Sequence, residues 1–430
     1  MLTTLRNALT VPDIRKRIGF VFFAFAVFVF MIHVQLPNVD QAQWNRLIAN
    51  GAFYQFLGFL SGGALQKLSI IAMGITPYIN ASIIMQLMTV VIPQLEEMAK
   101  KGGEEGRKTI SRYTRYLTIV LGTIQATSMA IAMSRGGVFF DHSWQFIVYA
   151  VVAFVSGTMF LMWLGEQITD KGIGNGISLI IFVGIVLRFP TQVGQTFSLA
   201  NKGGVNWLGL LLWVGIALVT IVSIVFMYQG QRRIPVQQAR RVIGRKMYAG
   251  RSSYIPLRLN NAGVISIIFA ISILLLPQQA LSWFGTSGKT TGVASNISFF
   301  MTTYFGPNSF LYNATYFLLV VVFTFFYSAI VVNTKDIADN LKKSGSFIPG
   351  IRPGQPTVDY INKILIRITT AAAIYLGLLA VLPSLQRDVG VSGLYIGSTS
   401  LLIVVGVALD SITQIEARLA MRDYRGFINK

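Results

Sequence analysis

The chain has 430 residues, 53% of them hydrophobic and 12% charged, with a formal net charge of +20. A soluble domain carries about 25% charged residues, so most of this polypeptide must face lipid or buried protein. The absence of cysteine excludes disulfides, thiolate metal sites, iron–sulfur clusters and a cysteine nucleophile, and the two histidines, His33 and His142, lie too far apart for a histidine-rich metal site.

Met1–Arg17 carries Arg6, Arg15, Lys16 and Arg17 and reads as a short interfacial helix leading into the first span. The apolar run behind it continues for a full span and lacks a small-residue cleavage site, so no cleavable signal peptide is expected. A helix needs about 20 apolar residues to cross the hydrocarbon core. Ten segments approach this requirement: Ile18–Gln35, Ile75–Ile92, Leu117–Met133, Phe146–Leu164, Ile177–Phe189, Trp207–Tyr228, Val264–Leu281, Phe310–Val332, Ile364–Leu382 and Leu394–Ile412. The fifth is short, and an extension through the polar stretch to about Ser198 would lengthen it.

Ser61–Met73 (SGGALQKLSIIAM) is apolar enough for membrane depth but too short to cross, and it is bounded by Gly62, Gly63 and Gly74. Irregular backbone at that depth survives only where protein or a water-filled cavity surrounds it. The segment reads as a re-entrant half-helix, the alternative being a kinked, overlong second span.

Three loops are long. Pro93–Tyr116 and Asn333–Lys363 are mixed in charge, and the second carries Pro349, Pro353 and Pro356. Gln229–Ala262 is purely basic, with Arg232, Arg233, Arg240, Arg241, Arg245, Lys246, Arg251 and Arg258 and no acid. The positive-inside rule holds such a loop in the cytoplasm. With an even number of spans both termini share that side, and of 36 Lys and Arg only Arg46, Lys67, Arg135, Arg188, Lys202, Lys289 and Arg387 fall outside. Function is therefore expected to face the cytoplasm.

Trp283–Thr291 (WFGTSGKTT) fails as a phosphate-binding loop, because Trp283 stands where the motif requires glycine. Gly172–Gly176 (GIGNG) lacks the third glycine and the preceding strand of a dinucleotide site and reads as a tight turn between the fourth and fifth spans. Ionisable residues inside spans mark ion and proton coupling, yet Glu166, Asp170, Arg367 and Asp410 lie at cytoplasmic span ends and Arg188 and His33 at outer ends. This weighs against a secondary transporter, and the lack of a catalytic constellation weighs against a membrane enzyme. Composition alone leaves both classes open beside a channel.

Six stretches in order narrow the choice: Ser61–Gln86 (SGGALQKLSIIAMGITPYINASIIMQ), Arg107–Tyr116 (RKTISRYTRY), Gly157–Ser178 (GTMFLMWLGEQITDKGIGNGIS), Gly230–Ile234 (GQRRI), Ala338–Gly354 (ADNLKKSGSFIPGIRPG) and Thr399–Val405 (TSLLIVV). Together they resemble the bacterial SecY family, the central subunit of the protein-translocation channel, over essentially the whole chain. Departures sit in the outer loops, in a short C-terminal tail and at Asn80, where a smaller residue is expected.

The resemblance implies an all-α multispan membrane protein of the bacterial cytoplasmic membrane, with ten transmembrane helices in two five-helix halves around an hourglass pore. The halves would be residues 1–198 and 199–430. It implies a plug at about 61–73 that includes Gly62, Gly63, Lys67 and Ile70, and a lateral gate between the second and seventh spans. It also implies a pore ring of Ile75, Ile79, Ile177, Ile181, Ile268 and Ile403. An apolar ring of this kind holds back ions by dewetting. The spacings 75/79 and 177/181 put each pair on one helix face, although such pairs are common in apolar helices.

The same resemblance implies small SecE-like and SecG-like membrane subunits, a SecA ATPase, the ribosome, signal peptides and nascent chains as partners, and no cofactor and no enzymatic activity. Arg352 matches the family's functionally important loop arginine. Arg232, Arg233, Arg240, Arg241 and Arg245 would meet ribosomal RNA phosphates, with enforcement of topology and contact with anionic lipid as the alternative.

Overall fold

The structure is a computed structural model that describes residues 10–49, 58, 61–141, 143–201, 207–238, 241–243, 246–248, 252–284, 309–388 and 398–428. Over its described residues each of the ten expected spans lies on a helix, the start of the tenth, 394–397, falling outside them. These are α1 (Pro12–His33), α3 (Thr76–Val91), α5 (Gly103–Arg135), α6 (Trp144–Lys171), α7 (Gly176–Asn201), α8 (Trp207–Gln229), α9 (Ile265–Phe284), α10 (Phe310–Val331), α12 (Gln355–Asp388) and α13 (Ser398–Ile428). Three shorter helices join them: α2 (Gln41–Ala49), α4 (Pro93–Lys101) and α11 (Thr334–Lys343).

Among the described residues seven helices are long and apolar enough to cross a membrane. The pair α3 and α4, bent by 105°, makes an eighth if it is counted as one span. The apolar stretches of α8 and α9 are shorter, Val214–Gln229 and Ile265–Leu274. The bend follows from Pro93, which disfavours helical backbone at the residue before it; Ile92 is extended, with φ −98° and ψ 113°.

Within the first five spans α3 packs on α5, α5 on α6, α6 on α7, and α1 on α6. Within the last five α9 packs on α10, α10 on α12, α12 on α13, and α8 on α13. The two sets meet along two seams: α9 lies against α3 and α5, and α13 lies against α7.

Three expectations need correction. Pro93–Tyr116 is not a loop, because α4 and the first turns of α5 occupy it. The only interruption is at Gly102, and Gly103, which opens α5, takes φ +56°. Glu104 and Glu105 in the first turn of α5 suit the helix dipole, and Glu104 pairs with Lys108 at 3.0 Å.

Second, residues 61–75 form a run of turns rather than a half-helix. Gly62, Gly63, Leu68 and Gly74 all have positive φ, which a right-handed helix cannot contain.

Third, the basic loop and the proline-rich loop are one unit. β1 (Gln231–Gln238) pairs antiparallel with β4 (Ser252–Arg258), and also with β5 (Ser346–Phe347) from the second loop. A hairpin of β2 (Arg241–Ile243) and β3 (Lys246–Tyr248) lies between β1 and β4 in sequence.

Candidate functional site

All six isoleucines named from the sequence belong to one contiguous apolar cluster. Ile79 lies on α3 with Ile75 just before it, Ile177 and Ile181 on α7, Ile268 on α9 and Ile403 on α13. Ile75, Ile79, Ile181 and Ile403 are buried, and Ile177 and Ile268 are partly buried against them. The amide of Ile79 donates to the carbonyl of Ile75 at 3.1 Å, so this pair shares a helix face. Both helix sets contribute, and the seams α9–α3 and α13–α7 converge on these side chains.

The segment 61–75 sits beside that cluster and touches it through Ala64, Ile71 and Ile75. Its other side, Leu65, Leu68, Ala72 and Met73, belongs to a second cluster with Leu36, Trp44, Met133, Phe139 and Phe154. Two glycines seat it. A Cβ on Gly157 of α6 would collide with the Ile70 carbonyl oxygen, and one on Gly62 would lie 2.8 Å from Cα of Gly184 on α7. Gly62, Gly63, Lys67 and Ile70 all lie in this segment; its neighbours Gly157, Gly184 and Trp44 were not foreseen. A tryptophan in a short interhelical segment was the one available signal.

At the other end of the bundle the β4–β1–β5 sheet turns Ile234, Val236 and Leu257 onto Ile348, Ile361 and Ile368. Arg232 and Arg233 are both exposed; side chains alternate along a strand, so Arg233 lies on the opposite face, while Arg232, paired with Leu257, lies at the edge of the same face as Ile234. The Arg233 guanidinium carbon lies 4.9 Å from the ring centre of Tyr254, a cation–π arrangement that sequence reasoning missed.

Arg241 begins β2, while Arg240 and Arg245 lie outside the described residues. Arg352 is exposed on the turn before α12. The turn is shaped by positive φ at Gly350 and Gly354 and held by Thr357, whose hydroxyl donates to the Arg352 carbonyl at 2.8 Å.

The Gly172–Gly176 turn is tight, as expected. Asn175 Oδ1 accepts from the amides of Ile177 and Ser178 and starts α7. The Gly174 amide donates to Gln414 Oε1 of α13 at 3.0 Å. Beside it Ile14 of α1, Ile173 of the turn and Ile415 of α13 form a small buried cluster.

Two acids at span ends, Glu166 and Asp410, have basic partners. Arg115 Nε donates to Glu166 Oε1 at 2.8 Å, and Arg258 lies 4.0 Å from Asp410. No group of His, Asp or Glu among the described residues could hold a metal.

The SecY family profile matches residues 69–412. A protein translocase subunit SecY of Pseudomonas aeruginosa is 44% identical over 421 residues, covering 97% of this chain and 94% of that protein. The fold is similar to a solved protein-conducting channel, with TM-score 0.67 and 17% identity over 94% of this chain and 92% of the other. It is also similar to Sec61 in a canine ribosome–channel complex from the endoplasmic reticulum, with TM-score 0.63 and 16% identity over the same shares.

Proposed function

The chain belongs to the SecY family, and from that premise we propose that it is the channel subunit through which unfolded polypeptides cross a membrane and from which transmembrane segments pass sideways into lipid. The observation that carries this reading is the gathering of Ile75, Ile79, Ile177, Ile181, Ile268 and Ile403 in one apolar cluster where the two helix sets meet. Isoleucine offers ions and water no hydrogen bond, so a constriction lined by it dewets. Its side chains can still move aside for a peptide.

Residues 61–73 are the plug, resting on Gly157 and Gly184. The first five spans and the last five are two halves, and the seam of α9 against α3 and α5 is the lateral gate. Sorting at that gate is a partition. A central Leu, Ile, Phe or Val gains about 0.3–0.6 kcal/mol in hydrocarbon, while a charged residue costs about 2.5–3.5 kcal/mol. No catalytic residue is needed, and driving energy comes from partners, the ribosome or a SecA-type ATPase.

The basic sheet faces the cytoplasm of a bacterium, with both termini on the same side. Arg232, Arg233, Arg240, Arg241, Arg245 and Arg352 are the docking residues for ribosome and ATPase. Their exposure, where it is described, suits phosphate and carboxylate partners, and ribosome binding through them should fall steeply with salt. SecE-like and SecG-like subunits and anionic lipids complete the surroundings.

The test is electrical. Replacing both Ile79 and Ile181 with Ser should hydrate the constriction and raise resting ion conductance in planar bilayers severalfold. Conductance at the wild-type level would show that these isoleucines are ordinary core.

A further inference from the structure

The plug is bonded on the side away from the pore to the segment that follows α1. The Leu36 amide donates to the Leu68 carbonyl at 2.8 Å, and the Ile70 amide donates to the Val34 carbonyl at 3.0 Å. Gln35 and Ser69 face each other as an antiparallel bridge. The Ser69 hydroxyl donates to the Met31 carbonyl at 2.6 Å, and Gln41 Nε2 donates to the Gln66 carbonyl at 2.8 Å. Lys67 Nζ lies 2.7 Å from His33 Nε2 at the exposed edge. Trp44 of α2, 1% exposed, donates its indole N–H to the Leu65 carbonyl at 2.7 Å.

This binding segment is itself held. The Asp40 amide donates to the Val138 carbonyl at 2.7 Å, the Phe140 amide donates to the Asn38 carbonyl at 3.3 Å, and Val39 bridges Phe139. Residues 31–44 therefore connect the plug to the far end of α5 and the start of α6. The second apolar cluster, with Trp44, Leu65, Leu68 and Phe139, fills the space between them.

We infer that residues 31–44 are a clasp that holds the plug shut from the outer side, with Trp44 as its positioning residue, and that channel opening requires the plug to part from this clasp. The inference rests on the reading of residues 61–73 as the plug. Gly62, Gly63 and Gly74, at positive φ, give the plug swivels at its ends, but its middle is paired to the clasp strand by backbone hydrogen bonds. A plug free to swing on its glycines alone would need no such pairing. The fully buried indole is the largest side chain of the clasp, and its N–H fixes the turn at Leu65 within the plug.

Two variants of the full chain, purified with its small subunits and reconstituted, test this. Trp44→Phe keeps an aromatic body in the cluster and removes the donor. Its resting open probability in planar bilayers should rise about two- to tenfold, the range set by one net hydrogen bond, with the conductance of each opening and the melting temperature near wild type. A general packing defect would lower the melting temperature instead.

Gln35→Cys with Ser69→Cys places two thiols across an antiparallel bridge, where Cα atoms sit about 4.5–5.5 Å apart and a disulfide can form. The chain has no other cysteine. Oxidation should lower translocation of a secretory protein into vesicles at least tenfold, and reduction should restore it. An open probability unchanged by Trp44→Phe, or an oxidised pair that translocates as well as its reduced form, overturns the clasp while wild-type transport in the same vesicles upholds the channel. A wild-type chain that transports nothing with its partners present overturns the channel reading and the clasp with it.

Discussion

The two seams between the helix sets are built from different materials. At one, α9 meets α3 and α5, and Ile267 and Leu274 from α9 and Ile79 and Ile83 from α3 all belong to the large apolar cluster. At the other, α13 meets α7 beside a polar tie from Gln414 to the Gly174 amide and the Ile14–Ile173–Ile415 cluster that brings in α1 as well. Apolar contacts have no direction and can be exchanged for lipid or for a passing apolar helix with little loss. A hydrogen bond between a side chain and a turn amide fixes position. The first seam is suited to part and the second to pivot.

The strongest way to break this contrast is to remove the freedom of the first seam. One cysteine within Asn80–Gln86 and one within Ile268–Leu274, at positions whose Cα atoms approach to about 7 Å, should on oxidation abolish both export and membrane insertion. A flexible cross-linker long enough to admit a helix about 10–12 Å across should be tolerated. Translocation that proceeds through a quantitatively bridged short tie rules out parting at this seam.

A smaller effect is expected at the second seam. Ile415→Ala removes a buried side chain that bridges three segments and should cost about 2–5 kcal/mol of local stability. Hydrogen exchange at the amides of 172–178 should speed up accordingly, while exchange in α3 and α9 stays unchanged. Equal acceleration at both seams would mean that they are not mechanically distinct. The least effect belongs to the polar groups near water. Gln414→Ala should cost about 0.5–1.5 kcal/mol by the same measurement. Arg258→Gln, which breaks a 4.0 Å pair more than half exposed on each side, should change it by less than about 1 kcal/mol.

Hydropathy made the ten spans readable because each helix must satisfy its own backbone and bury an apolar surface. The six isoleucines proposed to line the pore could be named only through the family resemblance, since nothing in the spacing of Ile177 and Ile181 distinguishes them from ordinary core. The β4–β1–β5 sheet escaped notice for a different reason. Ile234 and Val236 alternate as a half-buried strand should, but the apolar surface that they cover includes Ile348 and Ile361 from a distant part of the chain, and no local pattern announces that partner. The plug was read as half-helical from its apolar character, and Leu68 at φ +47° shows why that fails. Its bonds to residues 31–44 take the place of helical ones. Trp44 was the detectable clue, because an indole in a short connecting segment needs both a cavity and an acceptor.

The bond from Gly174 to Gln414 joins residues 240 positions apart. A chain made at about 5–20 residues per second needs about 12–48 s after the turn has been synthesised before its acceptor exists. α7 is made directly after the turn and the helix that carries Ile403 only near the end of that interval, so until then the apolar cluster that gathers all six isoleucines is incomplete. The molecule's biogenesis thus has an order written into it: the wall of its centre closes only when α13 arrives, and a chain cut before α13 leaves a gap in that wall.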